Sequence, residues 1–339
     1  MIHPPMNRNL LIGSLWILLT GIACRNSAEP LWKWSLKGRC YAQPVVENSV
    51  VYVVTQAGEI IAGHAGDGRK IWTRQVDGEL LGSPAVNGKN LITVTRNGFV
   101  YAFDKSNGNQ IWKKQVQDRF IAPLSSFGTQ VMLPSETGTL YALSAEDGSI
   151  RWSLSGQTKF SAGALIHGSC ILIGGWKRDF LCLKPDGSIN WKFTAAHVIA
   201  ETAVAHENMV FVSAYDHSVY ALDIQTGRML WQVPATEPSN LILLKNELLF
   251  VSGKDLVTAS IHNGKVTRRL ALGRTIQRIY PLEHYCLAVS EDVYRIDPLS
   301  KQSSLLFRAP ESFFRLVISE DAILASDNLY SVYGYANPE

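Results

Sequence analysis

Six tryptophans, Trp32, Trp72, Trp112, Trp152, Trp191 and Trp231, follow one another at intervals of 40, 40, 40, 39 and 40 residues. A fixed period near 40 residues is the mark of a repeat architecture, in which one supersecondary unit is copied and stacked. More than the tryptophan recurs. Val100-Tyr101-Ala102-Phe103-Asp104 and Gly108 stand before Trp112; Val219-Tyr220-Ala221-Leu222-Asp223 and Thr226-Gly227 stand before Trp231. The copies before Trp152 and Trp191 read Leu140-Tyr141-Ala142-Leu143 with Asp147-Gly148, and Leu181-Cys182-Leu183 with Asp186-Gly187. About twenty residues before each tryptophan-containing strand lies another apolar run, as in Leu91-Ile92-Thr93-Val94, followed by a turn pair such as Asn97-Gly98. Short β-rich runs divided by Gly, Asn and Asp read as antiparallel hairpins.

One unit parses into four strands, at 83–86, 90–95, 99–103 and 110–116. Four strands per ~40 residues is the dimension of a propeller blade. The pattern fades after Trp231 without stopping: strand and turn signals recur at 248–252 and Asn263-Gly264, at 286–290 and 293–297, and at 322–326 and 329–330. The last unit lacks an outer strand, while 31–36 at the N-terminus is a strand without a blade. The spacing therefore predicts an all-β, eight-bladed β-propeller over 31–335 as a single domain, the N-terminal strand closing the last blade and a tail at 336–339. With 46% hydrophobic residues the chain has enough apolar surface for a ring of inter-blade cores.

Residues 1–23 have another character. Arg8 precedes a 13-residue apolar segment, 10–22, too short to span a bilayer comfortably and ending in Ala23-Cys24. A short basic segment, an apolar segment of this length and small residues at its end describe a secretory signal. The Cys resembles the lipidated first residue of bacterial lipoproteins, which leaves 24–30 as a short tether. Simple secretion and an uncleaved anchor are the alternatives. Arg25 in place of Asp favours an outer-membrane address over inner-membrane retention. The expected location is thus the periplasmic face of the outer membrane.

Chemistry is sparse. Cys40, Cys170, Cys182 and Cys286 form no CxxC, and Cys170 and Cys182 fall on paired strands of one hairpin, where a bridge straight across is awkward. Two buried thiols are expected there, with a disulfide as the alternative. The eight histidines lack ligand spacing. No Gly-x-Ser-x-Gly elbow, phosphate loop or His-Glu-x-x-His occurs. Net charge is +3, and Trp176-Lys177-Arg178 is too short a basic cluster for nucleic acid. The turn residues Asp104 and Asp223 are read as holding turns.

Ala221-x-Asp223-x-x-Thr226-Gly227-x-x-x-Trp231 and Ala102-x-Asp104-x-x-x-Gly108-x-x-x-Trp112 resemble the tryptophan-docking repeat of pyrroloquinoline-quinone-like propellers. The resemblance covers 31–335 and is strongest from 44 to 231. It implies that Trp32, Trp72, Trp112, Trp152, Trp191 and Trp231 each pack on the neighbouring blade near a glycine. A buried indole removes roughly 150–250 Å² from water and offers one N–H donor. The catalytic branch of the family, the quinoprotein dehydrogenases, uses a calcium or lanthanide ion, a carboxylate base and often a Cys-Cys pair, and this chain has no Cys-Cys and short loops. Its lipoprotein-like start, blade count and compact loops are similar to the noncatalytic outer-membrane assembly lipoproteins. That branch implies a scaffold without catalytic, metal or cofactor residues, pyrroloquinoline quinone included. Its partners would be envelope proteins, among them the outer-membrane insertase, and its membrane contact a lipid on Cys24. A dehydrogenase and a sensory or ligand-binding propeller are the alternatives.

A scaffold needs a distinctive face. Turns between second and third strands are Gly-containing in the first three units but read Trp176-Lys177-Arg178-Asp179 and Tyr215-Asp216-His217-Ser218 in the next two. Connections expected on the same face carry Arg119-Phe120, Lys159-Phe160, His197 and Glu201. Exposed aromatic and Arg side chains on a rim are what a protein interface favours. Packing of loop on loop is the alternative.

Overall fold

The computed structural model describes residues 29–337 apart from 157–158, 161, 200, 237–239, 309–312 and 328–329, and only the backbone of Phe313 and Phe314. Residues 1–23, read above as a secretory signal, and Cys24 lie outside the described residues. Eight four-stranded antiparallel sheets form a ring, the β-propeller that the repeat predicts. In blade 2 the strands are Ala85–Asn87, Asn90–Val94, Phe99–Asp104 and Gln110–Gln115. The first strand starts two residues later than the pattern predicts. Pro84 has no N–H to donate to a ladder, so Ser83 belongs to the connection, and its carbonyl accepts from Leu124 N–H of blade 3 at 3.0 Å.

Closure joins the two ends of the chain. Blade 8 contains Phe313–Ile318, Ala322–Asp327 and Ser331–Ala336, and its outer strand is Trp32–Ser35. Trp32 pairs with Gly334 and Ser35 with Ser331, so the last edge is covered by the first strand. Ala336, expected in a tail, ends the last strand.

Burial follows position within a blade. Middle strands such as Val50–Val54 and Asn90–Val94 are buried along nearly their whole length, because neighbouring blades cover both faces. Outer strands such as Lys70–Gln75 alternate around one buried tryptophan and face water with their polar residues. The apolar cores accordingly lie between blades: one joins Ala42, Tyr52, Ile60 and Trp72 of the blade 1 side to Leu91, Tyr101 and Phe103 of blade 2.

Each of the six periodic tryptophans docks on the next blade. Their indole N–H groups donate to the carbonyls of Ala65, Lys105, Ala145, Pro185, Ile224 and Ile261, at 2.8–3.1 Å. The ring lies on a glycine of that blade. A Cβ on Gly227 would meet the Trp191 ring at 2.5 Å, and its φ of +69° independently disfavours a side chain. The adjoining aspartates fasten the turns: Asp104 Oδ1 accepts from Ser106 N–H at 2.8 Å, and Asp186 Oδ1 from Ser188 N–H at 2.9 Å. The Ser106 and Ser188 hydroxyls, which donate to the same oxygens, and then these backbone bonds hold both carboxyls below the usual range. Cys40, Cys170, Cys182 and Cys286 are buried free thiols.

Blades 6 to 8 are fastened differently. Arg268 occupies the tryptophan's place on the outer strand of blade 6, opposite Thr258, and pairs with Glu247 of its own blade at 2.7 Å. Between blades 7 and 8, Phe307 stacks on Tyr335 with centroids 3.9 Å apart and planes within 5°. Asn240 spans from blade 6 to blade 7, donating to Ile279 C=O at 2.8 Å and accepting from Ile279 N–H at 3.1 Å.

Candidate functional site

One face carries both the turns between second and third strands and the blade-to-blade connections, and a repeated backbone bond clamps the two together. In blades 2 to 5 a residue one or two positions beyond the second strand donates its N–H to the connection from the preceding blade. Arg96 donates to Glu79, Glu136 to Arg119, Trp176 to Lys159 and Tyr215 to Val198, at 2.7–3.1 Å. Trp176 and Tyr215 therefore hold, in blades 4 and 5, the places of Arg96 and Glu136 in blades 2 and 3. Gly98 and Gly138 end the regular turns at φ +88° and +93°; His217 takes that position at φ +61°.

The clamp builds a charged ladder along the rim. Gln56 Nε2 donates to Glu79 at 2.7 Å, and Glu79 pairs with Arg96 at 3.4 Å. Glu136, whose side chain is mostly buried, lies 3.9 Å from Arg96, 3.5 Å from Arg119 and 3.4 Å from Lys159. The Lys159 ammonium also lies over the Trp176 ring, 5.8 Å from its centroid. The Tyr215 ring is 6.4 Å from that of His197. Trp176 is 54% exposed and Tyr215 57%, the largest aromatic exposures among the described residues.

The sequence-selected residues divide into four groups, the last of them the buried pair Phe120 and Phe160. Arg119, Lys159, Trp176, Lys177, Arg178, His197, Tyr215 and His217 stand on the rim, where Lys177 Nζ donates to Gly156 C=O at 2.8 Å. Asp179 and Asp216 are engaged within the fold. Asp179 accepts from Thr194 Oγ1 at 2.7 Å and pairs with Lys192 at 3.3 Å, and these partners lower its pKa. Asp216 Oδ2 accepts from Tyr220 Oη at 2.6 Å and Ala196 N–H at 3.0 Å. Glu201 lies at the central funnel, on Arg278 at 3.1 Å.

Phe120 and Phe160 correct the sequence reading, which put them on the exposed rim. They are 1% and 2% exposed. Phe120 N–H is tied to Arg96 C=O and Phe160 N–H to Ser135 C=O, which turns both rings between blades; Phe120 meets Tyr141 edge-on at 6.0 Å. Leu80 and Ile199 fill the same place in the neighbouring connections and are fully buried. That apolar register was present in the sequence. Glu79, Arg96 and Glu136, which the sequence reading passed over, could have been found by the same turn and connection register.

Among the described residues, no group of three or more His, Cys, Asp or Glu side chains is placed to hold a metal ion. The sequence matches the family described as outer membrane protein assembly factor BamB, over residues 22–155 and again over 136–278. No curated protein matches it. Among solved structures, the chain is similar to BamB from Moraxella catarrhalis at 16% identity and a TM-score of 0.81, covering 91% of this chain and 100% of that one. It is also similar to the computationally designed Ika8 protein, at 14% identity and a TM-score of 0.75, covering 89% of this chain and 98% of the designed one. Likeness at such identities carries the fold alone, and a designed protein shares that fold. Function has to be argued from the faces of the ring.

Proposed function

The chain belongs to the family of the outer membrane protein assembly factor BamB, and from that membership we propose that it is a noncatalytic scaffold that binds protein partners during outer-membrane β-barrel assembly. The observation that carries this reading is the pair of exposed aromatics, Trp176 and Tyr215, on adjacent blades where the other turns are compact. Large amphipathic rings beside Arg and Lys anchor protein interfaces, because they bury much apolar area with few rotamers to freeze. The ladder from Gln56 to Lys159 gives that surface a polar, charge-patterned flank, which steers encounter and rejects wrong partners. The partner is the periplasmic part of the outer-membrane insertase, and the propeller presents its rim to that partner or to incoming barrel strands. Neither pyrroloquinoline quinone nor a metal takes part.

The protein is held at the periplasmic face of the outer membrane by lipid on Cys24. One acyl chain holds a protein only marginally, whereas several make a stable anchor. The apolar segment before Cys24 and the small residue ahead of it support this placement.

Affinity capture of envelope partners tests both parts. Trp176→Ala and Arg178→Glu should each reduce capture at least tenfold at an unchanged melting temperature, since both side chains are exposed. Full capture by these variants would remove the rim from the proposal. In the same fractions, Cys24→Ala should move the protein from membrane to soluble material, and continued sedimentation with membranes would remove the lipid anchor.

A further inference from the structure

Cys170 and Cys182 meet inside blade 4. Cys170 opens its second strand, Cys170–Gly174, and Cys182 lies on its third, Asp179–Leu183. A bridge straight across paired strands is awkward, but the register sets Cys182 opposite Leu172, so Cys170 stands two residues along, on the diagonal. Both side chains take the same face of the sheet. Cys170, Leu172, Phe180 and Cys182 pack in the core toward blade 5, whereas Ile171, Ile173, Leu181 and Leu183 pack in the core toward blade 3. There Cys182 Sγ lies 2.7 Å from Cys170 Sγ, nearer the bonded length of about 2.05 Å than the spacing of two thiols in ordinary contact.

Neither cysteine is what the repeat supplies at its place. Cys182 faces the docking Trp191, where blades 1, 2, 3 and 5 set Ala62, Ala102, Ala142 and Ala221 against their own docking tryptophans. Cys170 holds the place of Asn90 and Gln130, whose side-chain amides donate to the next blade, to Ala145 C=O at 2.6 Å and Pro185 C=O at 3.5 Å. The Cys170 thiol stands 3.8 Å from the matching carbonyl, that of Ile224, too far for a comparable bond. Two departures from one repeat thus fall in one blade and touch each other. Together they offer a two-electron oxidation that an amide facing an alanine does not.

We propose that Cys170 and Cys182 form a dithiol–disulfide site, oxidised by exchange with a disulfide-bearing oxidant before blade 5 covers blade 4. The Cys170 thiolate attacks one sulfur of the oxidant's disulfide and expels a thiolate; the Cys182 thiolate then attacks Cys170 Sγ in the mixed disulfide and expels the second. The oxidant's S–S bond breaks and the protein's forms, the protein gives up two electrons, and its two thiol protons pass to the two departing thiolates. The order follows from burial. In the closed ring Cys182 is fully buried and Cys170 is 8% exposed, in a core sealed by Trp191, and burial pushes the Cys182 thiol up to about 12, which leaves almost no thiolate to react. Export as proposed above would deliver the chain, still unfolded, to a compartment where such oxidants act. The ring described here is the dithiol form. Oxidation closes the base of the hairpin whose turn carries Trp176, Lys177 and Arg178 and so stiffens it. The site stands whether or not that turn binds a partner.

The test refolds the full chain from urea in a mixture of oxidised and reduced glutathione, alkylates it with iodoacetamide in urea, and digests it with trypsin; a second preparation, exported to an oxidising compartment, gives the same reading where refolding is poor. Tryptic peptides 160–177 and 179–192, each with one cysteine, should be recovered as one linked species that reduction separates, with Cys40 and Cys286 alkylated. The oxidised protein should melt about 4 °C above the dithiol form, because a loop of this length restricts the unfolded chain. Cys182→Ala, which restores the residue of the other blades, should fold and melt alike with and without oxidant. Protein folded as the dithiol and then given the same glutathione mixture should keep both thiols for hours. Alkylated Cys170 and Cys182 after folding in oxidant, or linkage of either to Cys40 or Cys286, would overturn the site. Oxidation of the folded dithiol as fast as of the refolding chain would overturn the order of events, and an unchanged melting temperature the stiffening of the hairpin.

Discussion

At the scale of single residues, the pairing of Trp191 with Gly227 shows how one indole fastens two blades. Nε1–H reaches Ile224 C=O at 2.8 Å while the ring covers a glycine whose φ is +69°. Three substitutions dissect this contact. Trp191→Phe keeps most of the ring and removes one hydrogen bond, a loss of about 1 kcal/mol. Gly227→Ala combines a left-handed backbone with overpacking of the indole, about 2–4 kcal/mol together. Trp191→Ala leaves an inter-blade cavity and costs about 3–5 kcal/mol. Urea unfolding should rank them in the order Trp191→Phe, then the other two. The double variant Trp191→Ala/Gly227→Ala should cost less than the sum of its parts, because the added methyl then enters the space the indole vacated. Strict additivity would show that ring and glycine are not one contact.

At the scale of elements, closure and fastening divide the ring unequally. Trp32–Ser35 completes blade 8 and carries two indoles onto blade 1: Trp32 bonds Ala65 C=O at 2.8 Å and Trp34 bonds Gly68 C=O at 2.6 Å. Removing residues 29–35 would leave Ser331–Ala336 as an open edge, with its outward backbone groups ready to pair with another chain. Light scattering is expected to show dimers or larger species and a lower melting temperature for that deletion. A monomer melting at the parental temperature would mean that the strand is ornamental. The sequence marked this element well, as a tryptophan strand without a blade. It marked blades 6 to 8 poorly, because there an intrablade ion pair and the Phe307–Tyr335 stack replace the periodic indole, and neither leaves a fixed spacing in the chain.

At the scale of the whole molecule, stability should be flat near neutrality and fall at both extremes of pH. Asp104, Asp147, Asp186, Asp223 and Asp297 are held below their ordinary range by side-chain hydroxyl and backbone N–H donors in the turns, Asp147 at about 2. Groups so depressed add stability that is complete above about pH 4 and is lost as pH falls through their folded values, because the unfolded chain takes up protons first. Burial acts oppositely on the thiols, pushing Cys40, Cys182 and Cys286 up to about 12 from near 9. Their share is complete below about pH 9 and is lost as pH rises toward 12, where the unfolded thiols ionise and the folded ones resist. Urea midpoints across pH 2–11 should trace both declines, and a midpoint unchanged from pH 8 to 11 would contradict the alkaline one. The sequence by itself determined the ring: a 40-residue period of Trp, Gly and Asp sets strand, turn and docking partner locally, so each copy repeats the same contact with its neighbour. It also exposed Trp176 and Tyr215, since a break in a strict register is visible without coordinates. The apolar register that Phe120 and Phe160 share with Leu80 and Ile199 was in the sequence, but only the tertiary structure supplied the backbone bonds to Arg96 and Ser135 that turn both rings inward. It alone brought Arg278, Arg315 and Glu201 to one axis: residues as far as 114 positions apart meet there because a closed ring converts distance along the chain into rotation about a common centre.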